Sequence, residues 1–275
     1  MTKISIIVPS YNQGQFIEET FQSIINQHYH NVEIIVMDGG STDNSVDIIK
    51  KYEKYIAYWQ SKKDNGQSDA INQGFRKATG EIVTWLNSDD VLLPNTLSMV
   101  DKYATKFPNT QWFLGNVLWL NKAGEIIRVG KVEKENLYWN KRHLFSNGGP
   151  TAFMRRENLL KIGALREDFH YMMDTELWHR YISLGQMFIR IPQYCWGLRL
   201  HENAKMSGHN FKDSKLADKS HPSWIQKKKE KFFLESNYPI NPILQRFWLT
   251  ERLVGIVLVS RVMDKNILHK NYKSL

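Results

Sequence analysis

Asn87-Ser88-Asp89-Asp90 sets two carboxylates side by side directly after the apolar run at residues 82–86. Their mutual repulsion costs free energy unless a cation or hydrogen-bond donors offset it. A divalent metal does so: Mg2+ or Mn2+ takes oxygen ligands, often one or two carboxylates plus substrate phosphates, and polarises the phosphate oxygens. Asp89 is the candidate ligand, while Asp90 also suits the start of a helix expected from about Pro94. Asp38 ends a second apolar run, 32–37, and precedes Gly39-Gly40, where the backbone leaves room for a ligand such as a nucleotide. It equally suits a turn, and Ser41 and Asp43 read as caps for a helix at Ser45.

Two further carboxylates have the right setting. Asp69 lies in the polar, glycine-bearing stretch from Asp64 to Gly74, an entry to a helix suited to ribose hydroxyls or phosphates, although many such loops share this look. Asp174, in Tyr171-Met172-Met173-Asp174-Thr175-Glu176-Leu177-Trp178, begins an expected helix among large apolar neighbours. Such surroundings favour a carboxyl that takes up a proton, hence a general base; the same position suits a helix cap with Leu177 and Trp178 as ordinary core.

The elements that must position these groups are short β-branched runs alternating with helical patterns. Strands are expected at 4–8, 32–37, 56–59 and 82–86, and helices at 15–27, 45–52 and 68–78, the first marked by Phe16, Ile17, Phe21, Ile24 and Ile25 at helical spacing. This alternation predicts a parallel sheet with crossover helices, whose strand-following loops open together at the carboxyl edge where open α/β folds bind ligands. Pro9-Ser10-Tyr11-Asn12, Asp38 and Asn87 to Asp90 all occupy such loops. Farther on, 112–120 and 126–129 read as a hairpin, 151–155, 187–191 and 194–200 as further strands, and 175–184 as a helix.

The 275 residues, 42% of them apolar, can build a sizeable core. One cysteine, Cys195, excludes an internal disulfide and a thiolate-rich zinc site, which suggests a reducing, cytoplasmic setting. No run is long enough for a signal peptide or a membrane-spanning helix. The net charge of +9 is uneven: residues 1–200 hold 23 basic and 21 acidic side chains, residues 201–275 hold 14 and 7. That basic tail, rich in aromatics, is read as helical; it suits either an anionic membrane surface, where a lipid-linked acceptor would lie, or packing on the preceding domain. Nothing in it forms a nucleic-acid-binding motif.

Taken jointly and in order, these segments resemble the family-two inverting glycosyltransferases, which have the A-type nucleotide-sugar fold. The resemblance spans about residues 3 to 205 and adds Thr151-Ala152-Phe153-Met154-Arg155 and Arg199-Leu200-His201 to the motifs above. It implies one α/β domain with a mostly parallel, Rossmann-like sheet and helices on both faces. Within it, residues 1–100 form the donor half, residues 101–205 the acceptor and base half, and residues 206–275 a helical extension.

The resemblance places Pro9, Tyr11 and Asp38 at the nucleoside and Asp69 at the ribose or diphosphate, with Asn12, Asn87 and Ser88 completing the donor contacts. Asp89 would hold Mg2+ or Mn2+, Asp174 would be the base, and His201 would approach the metal or diphosphate unless it plays a plain loop role. The partners implied are a nucleotide-sugar donor, a UDP-sugar first, and a saccharide or lipid-linked acceptor.

The sequence departs from the family pattern at Asn87, Ile71 and Met173, where many relatives carry aspartate, arginine and glutamate. These departures keep open a nucleotide-sugar-binding or scaffolding protein with impaired catalysis. A sugar nucleotidyltransferase ranks lower, because the loop from Pro9 to Gly14 has no Lys or Arg to meet a triphosphate.

Overall fold

Ile4–Ser10 is buried along its whole length and forms β1, as a continuous apolar run does when a strand is covered on both faces. It pairs in parallel with β2 (Val32–Asp38) on one side and β4 (Ile82–Trp85) on the other, and β3 (Tyr58–Ser61) adds in parallel outside β2. The protein's structure, a computed structural model, describes residues 1–132, 152–169, 173–205, 267 and 270–274. The crossovers are α1 (Ile17–Ile25), α2 (Ser45–Lys51) and α3 (Gln67–Lys77), matching the expected alternation. A single 3-10 turn, Glu53–Tyr55, delays the third strand to Tyr58, later than its apolar pattern suggests.

Beyond β4 the sheet becomes mixed. Its order is β3-β2-β1-β4-β8-β6-β9-β5, with β7 (Ile126–Gly130) paired to β6 (Trp112–Leu120) in the expected hairpin. β8 (Ala152–Arg155) runs antiparallel between β4 and β6. The two late strands expected at 187–191 and 194–200 are one, β9 (Ile189–Arg199), parallel to β6 through register shifts next to Asn116. Pro192, which cannot donate to a ladder, marks the irregularity that divides the pattern in the sequence. There Gly115 lets the two backbones close up, since a Cβ on it would stand 2.4 Å from Cys195 Sγ. Cys195 itself is fully buried, and burial pushes its thiol up to about 12, so it serves as packing.

β5 (Val91–Leu92) and α5 (Arg156–Lys161) are too short to announce themselves by periodicity. α4 (Thr96–Lys106) and α6 (Met173–Ser183) complete the elements used below. The sheet separates two apolar clusters. Ile7, Ile35 and Trp85 face the side covered by α3, α5 and α6, and Ile6, Val8, Ile34 and Val36 face the side covered by α1, α2 and α4. A single sheet thus runs through both halves of the chain up to residue 205.

No described helix is long and apolar enough to cross a membrane. Residues 206–266 lie outside the described residues, and with them most of the expected helical extension. Its far end is not an α-helix: Asn271 bridges antiparallel to Glu125, and Tyr272–Ser274 make one 3-10 turn with Tyr272 buried.

α6 is held by aromatic stacking. The Trp178 ring lies 5.9 Å from that of Trp85 at 14° and 5.1 Å from that of Trp112 at 15°. Trp178→Ala is expected to cost about 3–5 kcal/mol, because a rigid stack cannot collapse into the cavity; guanidinium denaturation measures it.

Candidate functional site

The register Ser10↔Asp38 and Ile7↔Trp85 brings the ends of β1, β2 and β4 together, so the loops they feed share one edge of the sheet. After β4 the two adjacent carboxylates part company. Asp90 is buried, with Oδ1 accepting the Arg199 backbone N–H at 2.9 Å, and Oδ2 accepting Asn87 Nδ2 at 3.0 Å and Trp196 Nε1 at 3.4 Å. Burial, and then the Asp89 charge beside it, push its carboxyl well above the ordinary carboxylate value. α4 begins only at Thr96, so Asp90 serves the sheet rather than a helix end, which corrects the helix-start reading.

Asp89 turns toward His201, its Oδ2 standing 3.0 Å from Nε2. The His201 ring is buried, 4.6 Å from that of Phe16. Two residues earlier, Arg199 donates Nε to the Asp89 carbonyl at 3.0 Å and pairs with Glu19 at 2.6 Å.

α1 and the turn that follows it organise this loop through polar residues. Thr20 Oγ1 donates to the Ser88 carbonyl at 3.0 Å and the Asp90 carbonyl at 2.7 Å; Ser23 Oγ accepts the Leu92 N–H, and Gln27 Nε2 donates to the Leu93 carbonyl. Sequence reasoning missed Glu19, Thr20, Ser23 and Gln27 because polar helix residues ordinarily read as solvent-facing. The spacing of Thr20, Ser23 and Gln27 by three and then four positions was the available signal.

On the β2 side, Asp38 is 1% exposed and already fully engaged: Oδ2 accepts Gly40 N, Ser41 N and Ser61 Oγ, and Oδ1 accepts Ser41 Oγ. It thereby shapes its own loop. Asn12 joins that loop to the one after β1, donating its N–H to Ser41 Oγ and accepting the Thr42 N–H at Oδ1. Ser41 is therefore a loop staple, not a helix cap, whereas Asp43 bonds both the Ser45 and the Gly14 N–H groups. Tyr11, 61% exposed, lies over Gly39, and Asp64 approaches the same glycine so closely that a Cβ there would meet its Oδ2 at 2.8 Å. Pro9, by contrast, is a buried strand residue paired with Met37.

Asp69 is buried in the first turn of α3 and accepts the Asn65 N–H at 3.0 Å. Burial opposes its charge, but the Asn65 amide, Gln73 and Arg76 together hold the carboxyl below its ordinary value. Asn87 accepts Gln67 Nε2 at 2.8 Å, and Lys205 donates to the other end of Gln67 at 3.0 Å. Ser88 is buried. Ile71, the second departure from the family pattern, is fully buried core.

Asp174 lies in the first turn of α6, half-buried, its Oδ1 accepting the Thr175 N–H at 2.6 Å. Met173, the third departure, is buried, and its Sδ accepts Ser68 Oγ at 2.9 Å, tying the start of α6 to the start of α3.

Among the described residues no three His, Cys, Asp or Glu side chains converge as a metal cluster. Asp89 and His201 still offer a meeting carboxylate oxygen and imidazole nitrogen. Such a pair suits a divalent ion when phosphates and water fill the remaining positions, the carboxylate oxygen being the ligand type for Mg2+ or Mn2+.

Solved structures share this fold. S. aureus TarS 1–349, solved with UDP-GlcNAc, superposes with a TM-score of 0.62 at 20% identity, covering 75% of this chain and 61% of that one. The mannosyltransferase PcManGT from Pyrobaculum calidifontis, solved with GDP-Man and Mn2+, gives 0.57 at 22% identity, covering 74% and 58%. The architecture is that of the A-type glycosyltransferases. The family model described as Glycosyl transferase family 2 matches residues 5–163, and the chain belongs to that family. An uncharacterised glycosyltransferase of Rickettsia typhi is 29% identical over 192 residues, which make up 67% of this chain and 60% of the relative. One from Haemophilus influenzae is 28% identical over 232 residues, 78% of this chain and 71% of its own.

Asp69 yields a test of the loop that enters α3. Its carboxyl titrates below the unfolded value of 3.8, so its stabilisation is complete above that pH and is lost as pH falls through the lower folded value. Asp69→Asn is expected to cost about 1 kcal/mol at neutral pH. Urea melts at about pH 7 and about pH 3 should show the difference shrinking at the acid end.

Proposed function

We propose that the protein is an inverting, metal-dependent glycosyltransferase. In this reading it moves a hexosyl or N-acetylhexosaminyl group from a nucleoside-diphosphate donor, a UDP-sugar first, to a hydroxyl of a saccharide or lipid-linked acceptor in glycan assembly. The carrying observation is the meeting of Asp89 and His201 at the strand-end edge, beside a buried Asp90 that leaves Asp89 as the outward carboxylate. Family membership and the UDP-GlcNAc and GDP-Man bound to structural relatives support a nucleotide-sugar donor, and the Mn2+ of PcManGT supports a divalent ion.

In this mechanism the nucleoside lies against exposed Tyr11 and the Asp38 loop, with Asn12 holding that loop and Asp69 shaping the diphosphate side. A divalent ion on Asp89 and His201 would neutralise charge on the leaving diphosphate. Asp174 takes the proton from the acceptor hydroxyl as that oxygen bonds to the anomeric carbon from the face opposite the leaving group. The bond from that carbon to the diphosphate oxygen breaks, and configuration inverts. Asn87, Ser88 and Lys205 frame the site.

A panel of nucleotide sugars, assayed for nucleoside-diphosphate release with Mn2+ or Mg2+, tests this. Asp89→Ala is expected to abolish metal-dependent release. Asp174→Asn should lower transfer about 10²–10⁴-fold, the usual contribution of a general base, while nucleotide binding by calorimetry persists. Near wild-type transfer by folded Asp174→Asn would refute the base, and a retained anomeric configuration by proton NMR would refute the single displacement. Binding without turnover would instead identify a nucleotide-sugar-binding protein.

The charge of residues 201–275 supports contact with an anionic membrane carrying a lipid-linked acceptor. Replacing Lys227, Lys228 and Lys229 by Glu should then reduce flotation with phosphatidylserine vesicles; unchanged flotation would remove the membrane from the proposal.

A further inference from the structure

The segment 270–274 makes a set of contacts that packing alone does not explain. Tyr272 is buried among Val91, Leu93, Leu118, Leu120 and Ile126, its N–H donating to the Gly124 carbonyl at 3.1 Å. Gly124 has φ +84 and a Cβ there would stand 3.3 Å from the Tyr272 ring, so the hairpin tip is shaped to receive it. A phenylalanine would fill that socket. The hydroxyl has another use: it donates to Glu19 Oε1 at 2.7 Å, across 253 positions of sequence.

Glu19 joins this segment to the carboxylate pair. Its Oε2 accepts Arg199 at 2.6 Å, and Lys273 Nζ lies 2.9 Å from Oε1. Burial disfavours the Glu19 charge, but Tyr272, Lys273 and Arg199 outweigh it and hold its carboxyl below the ordinary value. Arg199 in turn is 3% exposed and spends its other donors on the Asp89 carbonyl, the Lys122 carbonyl and, through its backbone, the Asp90 carboxylate. His201 follows two residues later and meets Asp89. Tyr272 therefore reaches the pair by two routes: its ring packs beside β5, which directly follows Asp90, and its hydroxyl acts through Glu19 and Arg199.

We propose that Tyr272 is a positioning residue for the Asp89–His201 pair, acting through Glu19 and Arg199, so that segment 270–274 straps the donor site into its binding geometry. The proposal rests on the donor-site reading above. A hydroxyl that only filled space would leave ligand affinity untouched, whereas one that orients Arg199 sets how well Asp89 and His201 converge.

The test compares the full chain with its Tyr272→Phe variant, which keeps the ring. The expected result is a loss of about fivefold in UDP affinity measured with Mn2+, the net worth of one typical hydrogen bond. A higher Mn2+ requirement with kcat unchanged at saturating metal should accompany it. In the ligand-free chain, amide hydrogen exchange should quicken in residues 87–92 and 197–201. Wild-type exchange there together with wild-type UDP affinity would overturn the proposal. If the unmodified chain binds no UDP with Mn2+ yet the variant quickens exchange at those residues, the donor-site reading fails while the positioning contact stands. Should Tyr272→Ala fail to fold, Tyr272→Phe still decides.

Discussion

Two carboxylates on consecutive residues at the end of a buried strand repel each other, and the way this chain resolves that repulsion governs the whole site. Asp90 goes inward, where burial raises its proton affinity and the Arg199 N–H, Asn87 and Trp196 satisfy it. Asp89 goes outward to His201. The division leaves one carboxylate of the pair at the strand-end edge and makes Asn87, one of the departures from the family pattern, a donor to Asp90, which an aspartate at that position would not be. An aspartate at 87 would put a third carboxylate against Asp90 and would need a different partner.

Keeping Asp90 inside requires its surroundings to be supplied from distant parts of the chain. Arg199 comes from the end of β9, and its buried charge is compensated by Glu19 of α1, which also receives Tyr272 and Lys273. A buried guanidinium without such a partner would be strongly destabilising. The same helix fixes the loop backbone through Thr20 and Ser23, so one face of α1 is spent on polar contacts where an ordinary crossover helix would place only apolar side chains. Phe16, with Arg199 over its ring at 5.2 Å and His201 at 4.6 Å, closes the arrangement.

On the opposite face of the sheet, aromatic packing does comparable work. Trp85 immediately precedes the loop of Asp89, and Trp178, one turn after Asp174, stacks on it. The proposed base and the proposed metal ligand are thus carried by elements that share a rigid contact, although they lie far apart in sequence. Met173 reinforces this by packing on Ser68 beside Asp69, so the third departure has a structural use at the same junction.

The parallel half of the fold was legible in the sequence because β1, β2 and β4 are apolar runs buried on both faces and α1 to α3 repeat with helical period. Those local patterns determine element type, and parallel topology alone then gathers Asp38, Asn12 and Asp89 at one edge. The mixed half was only partly legible. β5 is too short to show a period, β9 is interrupted by Pro192, and the order β4-β8-β6-β9 depends on pairings between residues distant in sequence. The roles of individual polar groups were decided by tertiary structure alone. How Asp38 orders its own loop, whether Ser41 caps a helix or staples two loops, and whether Glu19 is solvated or bound to Arg199 and Tyr272 depend on partners 2 to 253 positions away. Residue type states what chemistry a side chain can do; only the partners brought to it by folding, and the water they exclude, determine which chemistry it does.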